Sequence, residues 1–551
     1  MIDSHMSDRG ATFDIPIFIF MKIIYASIIV SIITISHASA QIISWTDHSS
    51  GISFEWEPNR GGSLSSTPEG VFGLYHDTTT FLKKFDWQGV ITGEIDLPST
   101  LALHQLNDGH LIAGTLVGSL DLLGTTLTGG YVGPDVFFAR LDAEGSLLWA
   151  RNSISEYAGI TLAGSAVSPN GKVVLLMGPG GQHAWGEDTI PAFSAGRLLL
   201  VFDEDGTLSW HKELSSELNF TDWYGQAEVA INDAGDVWLA AMMPYQMVVG
   251  SDTIHAQNPY NLDHLIAHFS ADGSLAGHVV VPGWQQGPGI VAKALVAWPD
   301  GRAFWGGYYR SGTTIGDSTL TTAGQHQGLF LEIGPTMEMI TIRALRSDHF
   351  SSFAAMAADP SQDLLYLTGT SGRHATFEGD SSHVDASYNA FVIYRNVGGG
   401  LNSWTPLLYS NDEFNGSMWP STVVARNGIV HTSGHRTGLV RRMDGVMLPL
   451  GHGFLIRLDD AASVSVIEQG SPTSAELTCW PSPATGAINV ALPKDATGYH
   501  VIGVDGRIVL QGNVGIGRKS LQLDLSQLRP GTYVIQVNHT NGFAATRFMI
   551  E

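Results

Sequence analysis

The chain has 551 residues, 44% of them hydrophobic and 15% charged, with 64 glycines. That is too long for one core and too glycine-rich and charge-poor for a helical protein, so short strands in two or more domains, or in one repeat array, are expected. With 28 basic against 52 acidic residues and a net charge of −24, the chain would repel nucleic acid and anionic lipid, and neither is expected as a partner.

In chain order, residues 1–20 carry Asp3, Asp8 and Asp14 ahead of an apolar run, the wrong charge for an export signal, and read as an upstream extension. Residues 21–40 fit better. Met21 and Lys22 precede the apolar run Ile23 to Ile35, and Ala38-Ser39-Ala40 stands before Gln41, the pattern of a cleaved signal peptide. Met21 is therefore taken as the true start, with an uncleaved anchor as the rival because Ile15 to Phe20 lengthens the apolar run. No later segment is apolar for long enough to span a bilayer.

Residues 41–469 read as one domain, periodic from about Ser65 to Gln469, with three landmarks keeping one beat. The first is a hairpin turn, at Pro68-Glu69-Gly70, Asn107-Asp108-Gly109, Pro169-Asn170-Gly171, Asp233-Ala234-Gly235, Pro299-Asp300-Gly301, Asp359-Pro360-Ser361-Gln362 and Arg426-Asn427-Gly428. Gly and Asn supply the positive φ such turns need. The second landmark follows roughly 36 residues later in each unit but the first, where it comes sooner: Gly89, Gly145, Gly206, Gly273, Met337, Gly400 and Ala462. The third, Gly124, Gly186, Gly250, Gly316, Gly379 and Gly445, lies between them in six units and is missing from the first.

Each unit reads as four strands, in the second full unit Thr161 to Ser168, Lys172 to Met177, Leu198 to Phe202 and Thr207 to Trp210. A lone four-stranded sheet cannot bury both faces, so the units must stack around an axis. The expected fold is all-β, a seven-bladed β-propeller with six or eight blades as alternatives, since Ile42-Ile43-Ser44-Trp45 could join the last blade and close the ring. Asp108-Gly109, Gly114, Asp135-Val136-Phe137-Phe138-Ala139-Arg140-Leu141 and Gly145-Ser146-Leu147-Leu148-Trp149 occur in an order that resembles the bacterial β-propeller repeat family. That resemblance implies a fold and no chemistry.

Gly470 to Ser474 breaks the composition, and residues 470–475 read as a linker. Residues 476–551 form a small all-β unit, expected as a β-sandwich, with strands at Ala487 to Leu492, Tyr499 to Val504, Arg507 to Leu510, Ser520 to Leu525 and Thr532 to Val537. Trp480-Pro481-Ser482-Pro483, Asp505-Gly506-Arg507 and Leu523-Asp524-Leu525-Ser526-Gln527-Leu528-Arg529-Pro530-Gly531-Thr532-Tyr533 make this segment similar to the type A sorting domain of the type IX secretion system. The resemblance implies export through the periplasm to the outer surface or beyond, with the type IX machinery as a partner. Cys479, the one cysteine, excludes an intrachain disulfide and a cysteine-based zinc site, and reads as a small buried apolar group.

Four motifs have plainer explanations than chemistry. Gly316-Asp317-Ser318-Thr319-Leu320 suggests a nucleophile turn, but other units carry equivalents such as Gly250-Ser251-Asp252-Thr253, which makes it a recurring turn. Asp203-Glu204-Asp205-Gly206 lacks the ligand spacing of a calcium loop, and with Asp142 and Asp459 at matching places it reads as a turn cap. His264 and His268 lie on one strand face roughly 13 Å apart, too far to share a metal. Trp149, Trp210 and Trp404 resemble the repeated Trp of quinoprotein propellers, yet a repeated Trp is expected to cover blade-to-blade packing.

No residue is nominated as catalytic, cofactor-binding or metal-ligating, and no cofactor is expected. The leading expectation is a module binding glycan or protein through face loops such as 211–225 and 281–292, which carry Trp223, Tyr224 and Trp284. The alternatives are a hydrolase or lyase using channel carboxylates, and a structural surface-layer component.

Overall fold

In the computed structural model the described residues are 42–47, 64–459 and 477–550, less short connections within the last two spans, among them 216–226, 258–261, 284–288, 411–416 and 504–507. The signal peptide and linker expected at 21–40 and 470–475 lie outside them.

Seven antiparallel sheets, each with a four-stranded core, follow one another along the chain. Their innermost strands are Leu64–Thr67, Thr100–Gln105, Leu162–Val167, Ala227–Ile231, Ile290–Ala297, Ser351–Asp359 and Ser417–Arg426. Each is the first arm of one of the seven hairpins read from the sequence. They pack side by side in chain order, and the seventh lies against the first. The ring is therefore closed, a seven-bladed β-propeller.

The fourth strand of blade seven comes from the other end of the chain. Ile42–Asp47 pairs with Gly453–Asp459, with Ile42 opposite Asp459. That pairing makes blade seven complete and rules out an eighth.

Each sheet is apolar on both faces, so the cores lie between blades. Among the described residues one buried apolar cluster fills each of the seven seams. Val174 and Leu199 of blade three meet Val229, Leu239 and Leu265 of blade four. The seam between blades one and seven holds the smallest cluster, Leu64, Val71 and Phe85 with Leu455. At about 25 cal/mol per Å² of apolar surface, this burial is the main force holding the blades together.

Among the described residues the first and second landmarks lie on one side of the ring, which we call the turn face; Ala462 lies outside them. Gly171 and Asn427 have φ of 104° and 53°, the left-handed conformation expected of them. Gly109 is constrained differently. Its φ is ordinary, but a Cβ there would sit 2.2 Å from the Leu141 carbonyl oxygen, so the strands approach too closely for a side chain.

Among the described residues the third landmark is the turn of an added hairpin between the second and third strands, as in His183–Trp185 with Asp188–Ile190; Gly445 lies outside them. In four places this hairpin hydrogen-bonds to the outer strand of the preceding blade, giving six-stranded sheets. Ser153 of blade two pairs with Trp185 of blade three in this way. Blade one has no such insertion, which explains its shorter beat.

Residues 477–550 make two further sheets, one of three strands and one of four. Ile488, Val490, Leu521 and Leu523 of one face Val501, Ile535, Val537 and Phe548 of the other, the small β-sandwich expected. Cys479–Trp480 and Gly542–Ile550 are strands as well. Cys479 is half-buried at the sandwich edge rather than buried, and burial raises its thiol pKa, which keeps it unreactive.

Candidate functional site

The side opposite the turns, the loop face, carries the longer connections, and the inner strands begin there. In five blades the inner strand takes up one extra residue near this end. The register shifts fall at Thr100/Ala102, Leu162/Gly164, Ala292/Ala294, Phe353/Ala355 and Pro420/Thr422. A bulge re-aims the side chain of its extra residue, and here the strand's free edge faces the axis. The extra residues are Leu101, Ala163, Lys293, Ala354 and Ser421. Lys293 is the one that carries a charge.

Glu228 stands beside it on the inner strand of blade four, whose register is unbroken. Its Oε1 is buried without a hydrogen-bond partner. Burial pushes its carboxyl up to about 8, against the pull of Lys293, and burial likewise lowers the Lys293 ammonium, against the pull of Glu228. A carboxyl at about 8 is mostly protonated at neutral pH, so it offers little charge to offset the lysine.

Tyr308 and Tyr309 end the second strand of blade five, Arg310 follows it, and His326 precedes the third. The Tyr308 and His326 rings lie 4.5 Å apart, tilted by 39°, and Phe350, from the link into blade six, lies 5.5 Å from His326. Burial, then Arg310, then Lys293 lower the His326 pKa. Burial raises the Tyr308 hydroxyl, with Arg310 opposing. At neutral pH both rings are uncharged; Arg310 acts on both and Lys293 on His326.

The backbone under these groups is pinned. Arg310 donates its N–H to the Gly289 carbonyl at 3.0 Å, and the Thr313 hydroxyl donates to the carbonyls of Gly289 and Arg310, each at 2.8 Å. Gln327 is buried and holds the Phe350 link. Its Oε1 accepts from Ser347 N–H and the Ser351 hydroxyl, and its Nε2 donates to the Ser347 and His349 carbonyls. Asp135 and Asp263, which also sit at the start of third strands, accept from the Gly130 N–H and from the Gln257 and Gly283 N–H groups. Such residues position the loop face; a site shaped this way needs little reorganisation to take a ligand.

The motifs weighed in the sequence fall elsewhere. Ser318 opens the second arm of the exposed hairpin Thr313–Ile315 and Ser318–Leu320, a turn as expected. Asp142 Oδ1 caps its turn by accepting from Glu144 and Ser146, but at the second copy Asp205 rather than Asp203 accepts, from Thr207. The Asp459 side chain is outside the described residues.

His264 is buried, accepts from Trp305 Nε1 at 3.3 Å and is lowered by burial to about 3. His268 stacks on Trp238. Both are core histidines, and among the described residues no group of three His, Cys, Asp or Glu side chains is placed to hold a metal. Trp149 covers Gly206 of the next blade, and Trp210 donates to Ala271 of the next at 2.9 Å, the packing role expected.

Trp223, Tyr224 and Trp284 lie outside the described residues. Among the described loop-side halves of the inner strands, Glu228 is the one carboxylate. Sequence reasoning missed Lys293, Tyr308, Arg310 and His326. Their signal was present but weak: a charged residue inside an otherwise apolar inner-strand run, Ile290 to Ala297.

Residues 478–551 match the secretion system C-terminal sorting domain family. No curated protein matches the chain. Among solved structures, an apocarotenoid oxygenase variant from Synechocystis is 10% identical, over 63% of this chain and 72% of that one, at a TM-score of 0.35. A polysaccharide lyase of the ulvan lyase family PL25 is 10% identical over 75% and 96%, at 0.35. A DUF4221 family member from Bacteroides vulgatus is 10% identical over 48% and 92%, at 0.23. Likenesses this slight bear on neither ligand nor chemistry. Among the described residues, no helix is long and apolar enough to cross a membrane.

Proposed function

We propose that the propeller of this chain, a type IX secretion cargo sent to the cell surface or the extracellular space by its C-terminal sorting domain, is a binding module for acidic glycans. The observation that carries this reading is the pair Lys293 and Arg310 at the loop-face mouth of blades four to six. Neither makes an ion pair among the described residues, in a chain whose net charge is −24.

Cations left unneutralised on an acidic protein favour an anionic ligand, and their low-dielectric setting strengthens the attraction. Tyr308, His326 and Phe350 add ring faces against which the apolar face of a sugar can pack. A carboxylated sugar satisfies both demands.

The test is equilibrium binding of the purified mature protein to polygalacturonate, alginate and neutral dextran. Binding to the acidic polymers, weakened about tenfold or more by Lys293→Ala or Arg310→Ala, is expected. Equal binding to dextran, or acidic binding that survives both substitutions, would remove the proposal.

A further inference from the structure

The mouth holds more than binding requires. We infer that it is a lyase site, in which Tyr308 and His326 cleave 4-linked uronate chains by β-elimination. This rests on the acidic-glycan reading and adds a reaction to it.

Hydrolysis of a glycosidic bond ordinarily takes a pair of carboxyl groups, one as acid and one as base or nucleophile. Here Glu228 is alone, so that pair does not exist among the described channel residues. Elimination needs a different set: cations to neutralise the uronate carboxylate, a neutral base for the hydrogen on the neighbouring carbon, and an acid for the departing oxygen. Lys293 and Arg310 supply the first. The second and third are the two rings 4.5 Å apart.

The environment sorts their roles. Burial and the two cations disfavour a proton on His326, leaving its nitrogen lone pair free, while burial keeps the proton on Tyr308. Groups whose surroundings push them apart in this way make an acid and base couple.

His326 takes the C5 hydrogen of the uronate as a proton. The C–H electron pair becomes the C4=C5 double bond, the C4–O4 bond breaks, and O4 leaves with its electron pair and takes the Tyr308 proton. A proton passing from His326 to Tyr308 resets the site. No water, oxidant or metal is consumed. The products are a new reducing-side chain end and an unsaturated uronate conjugated to its carboxylate.

The experiment incubates the purified mature protein with polygalacturonate and with alginate. It follows the ultraviolet absorbance of the conjugated double bond, with polymer binding measured in parallel. Tyr308→Phe keeps the ring and removes the proton; the expected result is a rate at least about 100-fold lower with binding within about threefold of wild type. His326→Asn should lose rate equally. In wild type the rate should fall on the acid side as His326, faced by Lys293, Arg310, Tyr308 and Phe350, takes up a proton.

Binding without any rise in absorbance would overturn the lyase and leave the binding module standing. So would an unchanged rate in both variants with wild-type melting temperatures. Failure of both polymers to bind would remove the two readings together.

Discussion

On the turn face, polar groups link one blade to the next. On the loop face at blades four to six, Gln327 and Asp263 are satisfied within their own blade links, but Glu228, Lys293 and Arg310 are not. Arg426 of blade seven donates to the Ser66 carbonyl of blade one and the Asn107 carbonyl of blade two. Asn107 donates to Asn170 of blade three, and the Asn170 N–H to Asp233 of blade four. The Asn232 amide reaches the Trp298 carbonyl of blade five. Across the ring from these, Glu228 Oε1 has no partner, and Lys293 and Arg310 have no ion pair among the described residues. A buried polar group without a partner costs about 1–3 kcal/mol. Both faces hold some such atoms, Arg140 Nε and Asp359 Oδ2 on the turn face among them. What separates the frame from the site is that the turn face ties blade to blade with hydrogen bonds while Lys293 and Arg310 are left without a counter-charge.

The largest expected effect tests the frame. Gly109→Ala would place a methyl group 2.2 Å from the Leu141 carbonyl oxygen, which only a backbone shift relieves. A loss of about 3 kcal/mol is expected, read as a lower denaturant midpoint with no change in glycan affinity once folded. A variant as stable as wild type would mean that the turn face is not the rigid part.

Next comes a gain on the other face. The Glu228 carboxyl is raised to about 8 from 4.5, so the native state keeps a proton that the unfolded chain releases between those values. Wild-type stability therefore falls as pH rises through that window. Glu228→Gln does not titrate. Its advantage should be absent below pH 4.5, grow with pH, and reach about 2 kcal/mol near pH 8 after allowance for partial exposure. Melting at pH 5 and pH 8 reads it directly, and a destabilised glutamine variant at pH 8 would show that Glu228 belongs to the frame.

Trp210→Phe should cost about 1 kcal/mol. It keeps an aromatic ring over Gly273 and removes the hydrogen bond to Ala271, leaving a carbonyl that water can partly satisfy. A cost near that of Trp210→Ala would mean the hydrogen bond matters more than the ring.

The same contrast governs what could be read from the chain. The frame was legible because it repeats: most turns on that face take Gly, Asn or Asp for a backbone reason, with Met337 at φ 70° an exception, and so many copies of one reason stand out. Ile42–Asp47 was legible as a spare outer strand because the last unit lacks one. The added hairpins were visible only as a glycine beat, since arms such as Thr313–Ile315 and Ser318–Leu320 are three residues long and too short to show alternation. The site was illegible because it does not repeat. Lys293 becomes special through a one-residue bulge and Tyr308 through a ring contact with His326, and neither register nor contact is written in local composition. Asp135 was seen as part of a strand motif, but its role of accepting from the Gly130 N–H depends on where the loop returns.

The smallest effect on stability makes the sharpest comparison, because salt should act on the two faces differently. The turn face has ion pairs, such as Arg140 with Asp108 at 2.9 Å, but the Asp108 side chain is 65% exposed. Exposed pairs contribute little. The buried chain of Arg302, Glu332, Arg395 and Glu378 is screened much less than an exposed pair, and the rest of the face's strength lies in hydrogen bonds between blades. Raising salt to about 0.5 M shortens the screening length to roughly 4 Å, so the melting temperature should barely move. The loop face works through uncompensated charge, and glycan affinity should fall about tenfold or more over the same range. If affinity held while stability dropped, the charges that matter would be those in the frame, and Lys293 and Arg310 would be bystanders.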